Sequence, residues 1–460
     1  MRRGRAADHD LGRRAATTAN LRFILAAGLV VGAAVLGGAS RENPLRLAAV
    51  ELTAIPLLAL SVRRWPSGEG VATLTAKCAL TLLALIVFVP LLQSIPLPPG
   101  LWTALPGQAP RLEALRLAER SPPWLPLSLA PDDTGRTALA LIPPAAMCIA
   151  TFNLSEGETR RLAWLWIALA TVGLILGLAQ IATPAGGPAY LYRTTNLGSL
   201  VGLFANRNHE AGFLLALLPF AAALGIPAAS PGDPGAGRRR QMALWLAGPF
   251  VAVSIVALGV IRSRAGVILA VPAVLATLAV LWRSRGGWTG LRPVTALGAG
   301  IGSAGVSVVV LGLSPILDRF GGRGSGEFRF EAWPHVIDAA RSFLPLGSGL
   351  GSFDRVFEAV EPLTLVGPTY FNHAHNDYLE LWLETGWVGA AIFCGFLVWF
   401  ALSALRAWRS GTSFACAASA AIGLLMAQSA VDYPLRTETL AVLFAFCCGL
   451  LAAPERTAMS

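Results

Sequence analysis

The sequence predicts an all-α fold, a polytopic helical membrane protein with about twelve transmembrane helices and one large loop between the ninth and tenth spans. Three observations lead there. Hydrophobic residues form 55% of the 460-residue chain and charged residues only 13%, about half the charged share of an ordinary soluble domain. The apolar residues fall in blocks of roughly 17–22, the length that crosses a hydrocarbon core as helix. No segment shows the alternating pattern of roughly ten residues that marks a membrane barrel.

The first block, 21–38, follows a basic stretch from Met1 to Arg14 and lacks a small-x-small cleavage site. It reads as a retained first span rather than a signal peptide. Further spans are expected at 46–62, 76–93, 137–153, 162–181, 209–227, 243–261, 265–282 and 293–313, then at 386–405, 413–430 and 437–453. Arg63-Arg64, Arg160-Arg161, Arg238 to Arg240, Arg283 with Arg285, and Arg406 with Arg409 all fall on one side of these blocks. The positive-inside rule makes that side cytoplasmic, and an even number of spans returns both termini, 1–20 and 454–460, to it. Two segments lie outside. One, near 93–136, is rich in proline; the other, 314–385, carries Trp333, Phe343, Phe353, Phe357, Tyr370 and Phe371. That aromatic mass is enough to pack the long loop as a small lid of amphipathic helices.

Several function classes drop out. The net charge of +10 is spread in short arginine clusters between apolar blocks, with no basic patch interleaved with aromatics, so nucleic acid is not an expected partner. All six cysteines (Cys78, Cys148, Cys394, Cys416, Cys447 and Cys448) sit inside apolar blocks as small hydrophobes. They form neither a disulfide framework nor a CxxC metal pattern. A transporter or flippase would carry ionisable residues deep in its spans and Gly/Pro-broken helices, often in repeats. No repeat is apparent, and Glu51 and Gln180 are the few polar candidates within spans.

The informative residues gather at the outer surface. Arg264, in Ile261-Arg262-Ser263-Arg264-Ala265-Gly266, sits in a minimal turn between two spans. It is either a snorkelling anchor or a fork of donors for phosphate oxygens. Arg207 and His209, in Phe204-Ala205-Asn206-Arg207-Asn208-His209, precede the sixth span and could serve the same surface from a helix start that favours anions. The loop holds Arg329-Phe330-Glu331-Ala332-Trp333 and then Gly347-Ser348-Gly349-Leu350-Gly351, a tight turn with no Walker lysine after it.

The run from His373 to Gly386 says most. Read as helix from about Asn376, it lines Asp377, Glu380 and Glu384 along one face, either a solvated lid surface or a contact for sugar hydroxyls. His375 stands at the helix start, just outside the membrane. There it is a cap or packing residue, or a base that is neutral near pH 7. A metal reading through His373, His375 and Asp377 needs an extended backbone where the pattern is helical, so no metal is assigned.

Taken together these residues resemble the O-antigen ligase and polymerase superfamily of bacterial membrane glycosyltransferases. The similarity runs from Leu92-Gln93-Ser94-Ile95-Pro96-Leu97-Pro98 to the last span. It rests on Phe204 to His209, Ser263-Arg264-Ala265, Arg329 with Trp333, Gly349 to Gly351, His375-Asn376-Asp377-Tyr378-Leu379, Glu384-Thr385-Gly386 and Asp432-Tyr433-Pro434-Leu435-Arg436. The resemblance implies a metal-independent, inverting transferase of the inner membrane with no cofactor, its site facing the periplasm. The donor would be a glycan on undecaprenyl diphosphate and the acceptor a hydroxyl of lipid A–core or of a growing glycan. Arg264 would bind the diphosphate, His375 would activate or orient the acceptor, and Arg329 would be a further phosphate or loop-positioning arginine; Arg207, from its location at the start of the sixth span, and Asn376 are added as substrate contacts. Ligation, polymerisation and transfer to protein share these motifs and stay open; a ligase is slightly favoured.

Overall fold

Blocks of apolar residues become helices wherever the backbone can satisfy its own polar groups, the only economical course in lipid. In a computed structural model, residues 2–40, 43–62, 71–193, 196–226, 236–283, 327–367 and 370–453 are described. The helices in chain order are α1 (Arg2–Leu36), α2 (Pro44–Val62), α3 (Val71–Gln93), the short α4 (Pro99–Trp102) and α5 (Ala109–Leu117), then α6 (Pro131–Ala140), α7 (Ile142–Thr151), α8 (Glu156–Ala182), α9 (Arg207–Leu224), α10 (Ala236–Ile261) and α11 (Arg264–Arg283). After them come α12 (Glu327–Ser342), α13 (Phe353–Val360), α14 (Asp377–Ser410), α15 (Ser413–Ser429), a 3-10 turn (Pro434–Arg436) and α16 (Glu438–Ala452). A two-residue antiparallel ladder, β1 (Pro96–Leu97) with β2 (Leu125–Pro126), pairs Pro96 with Pro126 and Leu97 with Leu125.

Seven of these helices are long and apolar enough to cross a membrane: α1, α2, α3, α8, α10, α11 and α14. Helices α15 and α16 match the expected blocks 413–430 and 437–453, but at 17 and 15 residues they are shorter than a full crossing. The expected span 209–227 is α9, whose charged first turn dilutes its hydropathy. The expected span 293–313, like the segment 314–326, lies outside the described residues. The expected span 137–153 is not one helix. Pro143 and Pro144 cannot donate to the carbonyls four residues back, so the hydrogen-bond ladder is interrupted between α6 and α7. Ala145 N–H to Leu141 O, at 3.1 Å, restarts it.

Helix α9 is the axis of the bundle. Every residue from His209 to Leu224 is buried, as expected of a helix that is apolar all round, and α8, α10, α11 and α15 pack about it. One end of the bundle is tied by arginines. Arg160 donates to Leu224 O and Ile226 O, Arg283 to Trp408 O and Arg409 O, and Arg406 to Leu451 O and Ala453 O. Each guanidinium thus closes the carbonyl end of a helix, where a cation is favoured.

The outer segments meet at the other end. Phe343, Phe353, Val356, Phe357 and Leu383 form a second apolar cluster beneath α12 and α13. The 93–136 segment is fastened to it: Gln93 Nε2 donates to Glu384 O at 2.9 Å, Leu129 N to Ser348 O at 2.9 Å, and Thr134 Oγ1 to Leu350 O at 2.6 Å. Gly386, with φ +57° and ψ −142°, breaks α14 so that 377–385 tilts into this layer while the rest enters the bundle. A Cβ there would stand 2.2 Å from Pro345 O. Gly386→Ala is therefore expected to lower stability by at least about 1–3 kcal/mol, the usual cost of a strained backbone conformation. Thermal unfolding in detergent checks this, and an unchanged midpoint would rule the clash out.

Candidate functional site

The site is assembled from the bundle's axial helix upward. Asn206 caps α9 by accepting from Asn208 N at 2.9 Å, which sets His209 and Glu210 in the first turn, both buried. The Glu210 carboxylate fills a slot left by two glycines. A Cβ on Gly202 would lie 2.4 Å from Glu210 Oε2, and one on Gly173 would lie 3.1 Å from Oε1. Helix α11 begins beside α9. Arg262, at φ +55°, turns the chain after α10, and Ser263 Oγ caps α11 by accepting from Gly266 N at 3.1 Å. Gly266 then packs so closely on Ala211 that a Cβ would come within 2.8 Å of the Ala211 Cβ. Two long helices thus present their N-terminal ends side by side, with Arg207 on one and Arg264 on the other. The dipoles of the two helices favour an anion over this surface.

Above it stands an aromatic and imidazole cluster. The Tyr433 ring lies 5.0 Å from His209, 4.3 Å from His373 and 4.8 Å from His375. His375 Nδ1 is 3.4 Å from Asp432 Oδ1, which also accepts from Tyr433 N at 3.0 Å. His375 has φ +51°, a left-handed conformation uncommon outside glycine. Such strain tends to persist where the surroundings over-determine it, at functional sites above all. Trp333 Nε1, donating to Ala374 O at 3.0 Å, is part of what holds it.

Burial pushes the His375 imidazole down from its ordinary value; its hydrogen bond to the Asp432 carboxylate opposes this and the nearby Arg329 charge adds to it. His375 is thus neutral at physiological pH, with Nδ1–H directed at Asp432 and Nε2 left as an acceptor. Burial alone would raise the Asp432 carboxyl. The His375 hydrogen bond and the charges of His209 and Arg329 outweigh it and hold the group well below the usual carboxylate range. The Tyr433 phenol, buried beside that carboxylate, is pushed up to about 12 and stays protonated.

Below α12 lies a second charged group. Arg436 reaches Asp377 Oδ1 at 3.6 Å, Glu380 Oε1 at 3.4 Å and Glu384 Oε2 at 3.0 Å. Glu380 also takes His373 Nδ1 at 2.8 Å and Ala374 N at 2.9 Å. Glu384 Oε1 accepts from Gly351 N and Phe353 N at 2.9 and 3.3 Å, and Asp377 Oδ2 accepts from Ser429 Oγ at 2.8 Å. The acidic face of 377–384 is therefore neither a solvated lid surface nor open to sugar. Its three carboxylates turn inward on one guanidinium and brace the loop that carries His373 and His375.

The expected site residues fare differently. His375 lies at the centre of the cluster, and Arg329, in the first turn of α12, is near enough for its charge to act on His375, Asp432 and Tyr433. Arg264 and Arg207 stand at the two helix starts. Arg207 is partly engaged: its backbone N donates to Asn196 Oδ1 at 3.1 Å and its side chain to Ser199 Oγ at 3.4 Å. Asn376 has its oxygen occupied as the cap of α14, accepting from Tyr378 N and Leu379 N at 3.0 and 3.2 Å. Gln180 stitches the turn before α9 by bonding Ala189 O, Gly202 O, Val201 N and Gly202 N. Asp432 and Arg436 are among the residues that sequence reasoning did not single out, noted only within a short motif. Their partners are 57 and 52 residues away in the chain, and no local spacing reports that. Among the described residues, no group of three or more His, Cys, Asp or Glu side chains is placed to hold a metal ion.

Comparison with known proteins bears on the same region. Residues 249–394 match the O-antigen ligase family, a stretch that runs from within α10 through α11, α12 and α13 to the first half of α14. No curated protein matches the chain.

Proposed function

We propose a specific transfer reaction on the premise that this chain is a member of the O-antigen ligase superfamily, through residues 249–394. That membership makes it a glycosyltransferase-like enzyme, and with several membrane-spanning helices it is a multi-pass membrane protein. The reaction we assign is ligation: a glycan leaves undecaprenyl diphosphate for a hydroxyl of a lipid A–core acceptor. One observation carries it. The partly exposed His375, paired with the buried Asp432, stands beside two parallel helix starts that bear Arg207 and Arg264.

The chemistry follows from that placement. The acceptor hydroxyl gives its proton to His375 Nε2 as its oxygen bonds to the anomeric carbon. The bond from that carbon to the diphosphate oxygen breaks, the electron pair stays on the diphosphate, and attack from the opposite face inverts the carbon. Asp432 holds the imidazole by Nδ1–H and stabilises the imidazolium that forms. Arg264, aided by Arg207, Arg329 and the helix ends, takes up charge growing on the leaving oxygen. Since the guanidinia supply that charge, the reading assigns no metal or cofactor. The arginine-tied end of the bundle lies opposite the site, which supports a site facing the periplasm of an inner-membrane protein.

The test is deletion in the host, with surface lipopolysaccharide and undecaprenyl-linked glycans compared side by side. Loss of long-chain lipopolysaccharide while full-length polymer accumulates on the carrier is the expected result. Single repeat units on the carrier would instead make the enzyme a polymerase, and unchanged glycans would reopen a transport function. Arg264→Ala, produced at wild-type level, is expected not to rescue the deletion; full rescue would remove Arg264 from the site.

A further inference from the structure

His209 is a buried residue of this site that the mechanism leaves unused. Its side chain is 1% exposed, and neither Nδ1 nor Nε2 has a hydrogen-bond partner among the described residues. A buried imidazole left in that state is costly, because its lost hydration is not replaced. Three other groups of the site hold buried polar atoms in the same condition: His373 Nε2, both oxygens of Glu210, which lie in the slot at Gly173 and Gly202, and Asp432 Oδ2, the oxygen that His375 does not use. His209 and Asp432 are neighbours. His209 stacks edge-on against Tyr433 at 5.0 Å, Asp432 precedes Tyr433 in the chain, and each lies within range of the other's charge. A donor without an acceptor and an acceptor without a donor share one buried site.

We propose that His209 is a positioning residue for His375 that acts through Asp432: an imidazole N–H of His209 is linked to Asp432 Oδ2 through one bridging water, so that the carboxylate is held between two histidines. This rests on the transfer reading above. The bundle's axial helix thereby fixes the outer loop, since α9 carries His209 and its cap Asn206 sets where that ring stands. The carboxylate cannot rotate toward Arg329, and its charge is shared between two donors instead of bearing wholly on His375. The groups facing His209 are Asp432 and Tyr433 before the 3-10 turn, His373 and His375 on the loop, Arg329 on α12 and Glu210 on its own helix.

The consequence is a pH signature. Transfer needs neutral His375, so the wild-type rate is flat through neutral pH and falls as pH drops through the depressed value of that group. His209→Phe keeps the ring and removes the donor. The Asp432 charge then acts on His375 undivided and favours the imidazolium, so the acid limb is expected to move up by about half a unit or more. His209→Gln keeps an N–H donor and is expected to leave the limb near wild type. Two readouts are taken on purified full-length protein: initial rates of transfer against pH, and the pH dependence of His375 modification by diethyl pyrocarbonate, followed by mass spectrometry. The second needs no activity. A wild type that modifies normally but transfers nothing overturns the functional reading and leaves the coupling tested. An unmoved His209→Phe limb overturns the inference, as does a His209→Gln limb that moves as far. If neither variant accumulates as folded protein, His209 is a packing residue and the inference is also overturned.

Discussion

Replacing His375 with alanine is expected to lower transfer by about 10²- to 10⁴-fold, the range that a positioned base contributes. Stability should stay near wild type. The ring is partly exposed, at 14%, and Asp432 Oδ1 keeps its bond from Tyr433 N when His375 is gone. Asp432→Asn probes the same pair from the other side. An amide oxygen still accepts from Nδ1–H, but it carries no charge to stabilise the imidazolium, so the rate is expected to fall by about 10²-fold or more with binding little changed. Initial rates with a purified lipid-linked donor decide both. A His375→Ala enzyme within tenfold of wild type would reduce that residue to a structural part of the loop.

The pair also explains why so little of the site could be read from local spacing. His375 stood out because a histidine just outside a span, beside a helix cap, is chemically conspicuous. Asp432, its partner, belongs to another stretch of sequence, and only the packing of α14 against α15 and the 3-10 turn brings them together. The acidic face was misread for a related reason. Helical spacing of Asp377, Glu380 and Glu384 reports that three carboxylates share a face, but not whether the face meets water or a guanidinium. The spans were more legible, because hydropathy is summed over neighbours. Where that sum failed, at 137–153, it failed on continuity: an apolar block holding Pro143 and Pro144 has the composition of a span without the hydrogen bonds of one. The bend at Gly386 was hidden similarly. Its cause is the approach of the Pro345 carbonyl from a loop about forty residues earlier.

Arg436→Met is expected to have the largest effect on folding of any substitution considered. Arg436 is the cation that Asp377, Glu380 and Glu384 share, and it is four-fifths buried; the carboxylates are 12%, 1% and 0% exposed. An exposed ion pair contributes little, but removing one partner of a buried set leaves uncompensated charge, at about 3–5 kcal/mol. Here three carboxylates would be stranded, with His373 beside Glu380 able to answer one of them in part. Methionine keeps most of the volume, so the loss is electrostatic rather than a cavity. The folded fraction recovered in detergent should fall sharply and the melting temperature with it. If charge is the cause, Glu380→Gln and Glu384→Gln added to Arg436→Met should restore much of the stability, because two of the three stranded charges are gone. Activity should not return in step, since Glu380 also fixes His373 and the Ala374 backbone immediately before His375. An Arg436→Met protein as stable as wild type would mean that the carboxylates are protonated in the native state and that the loop is braced by their backbone contacts alone.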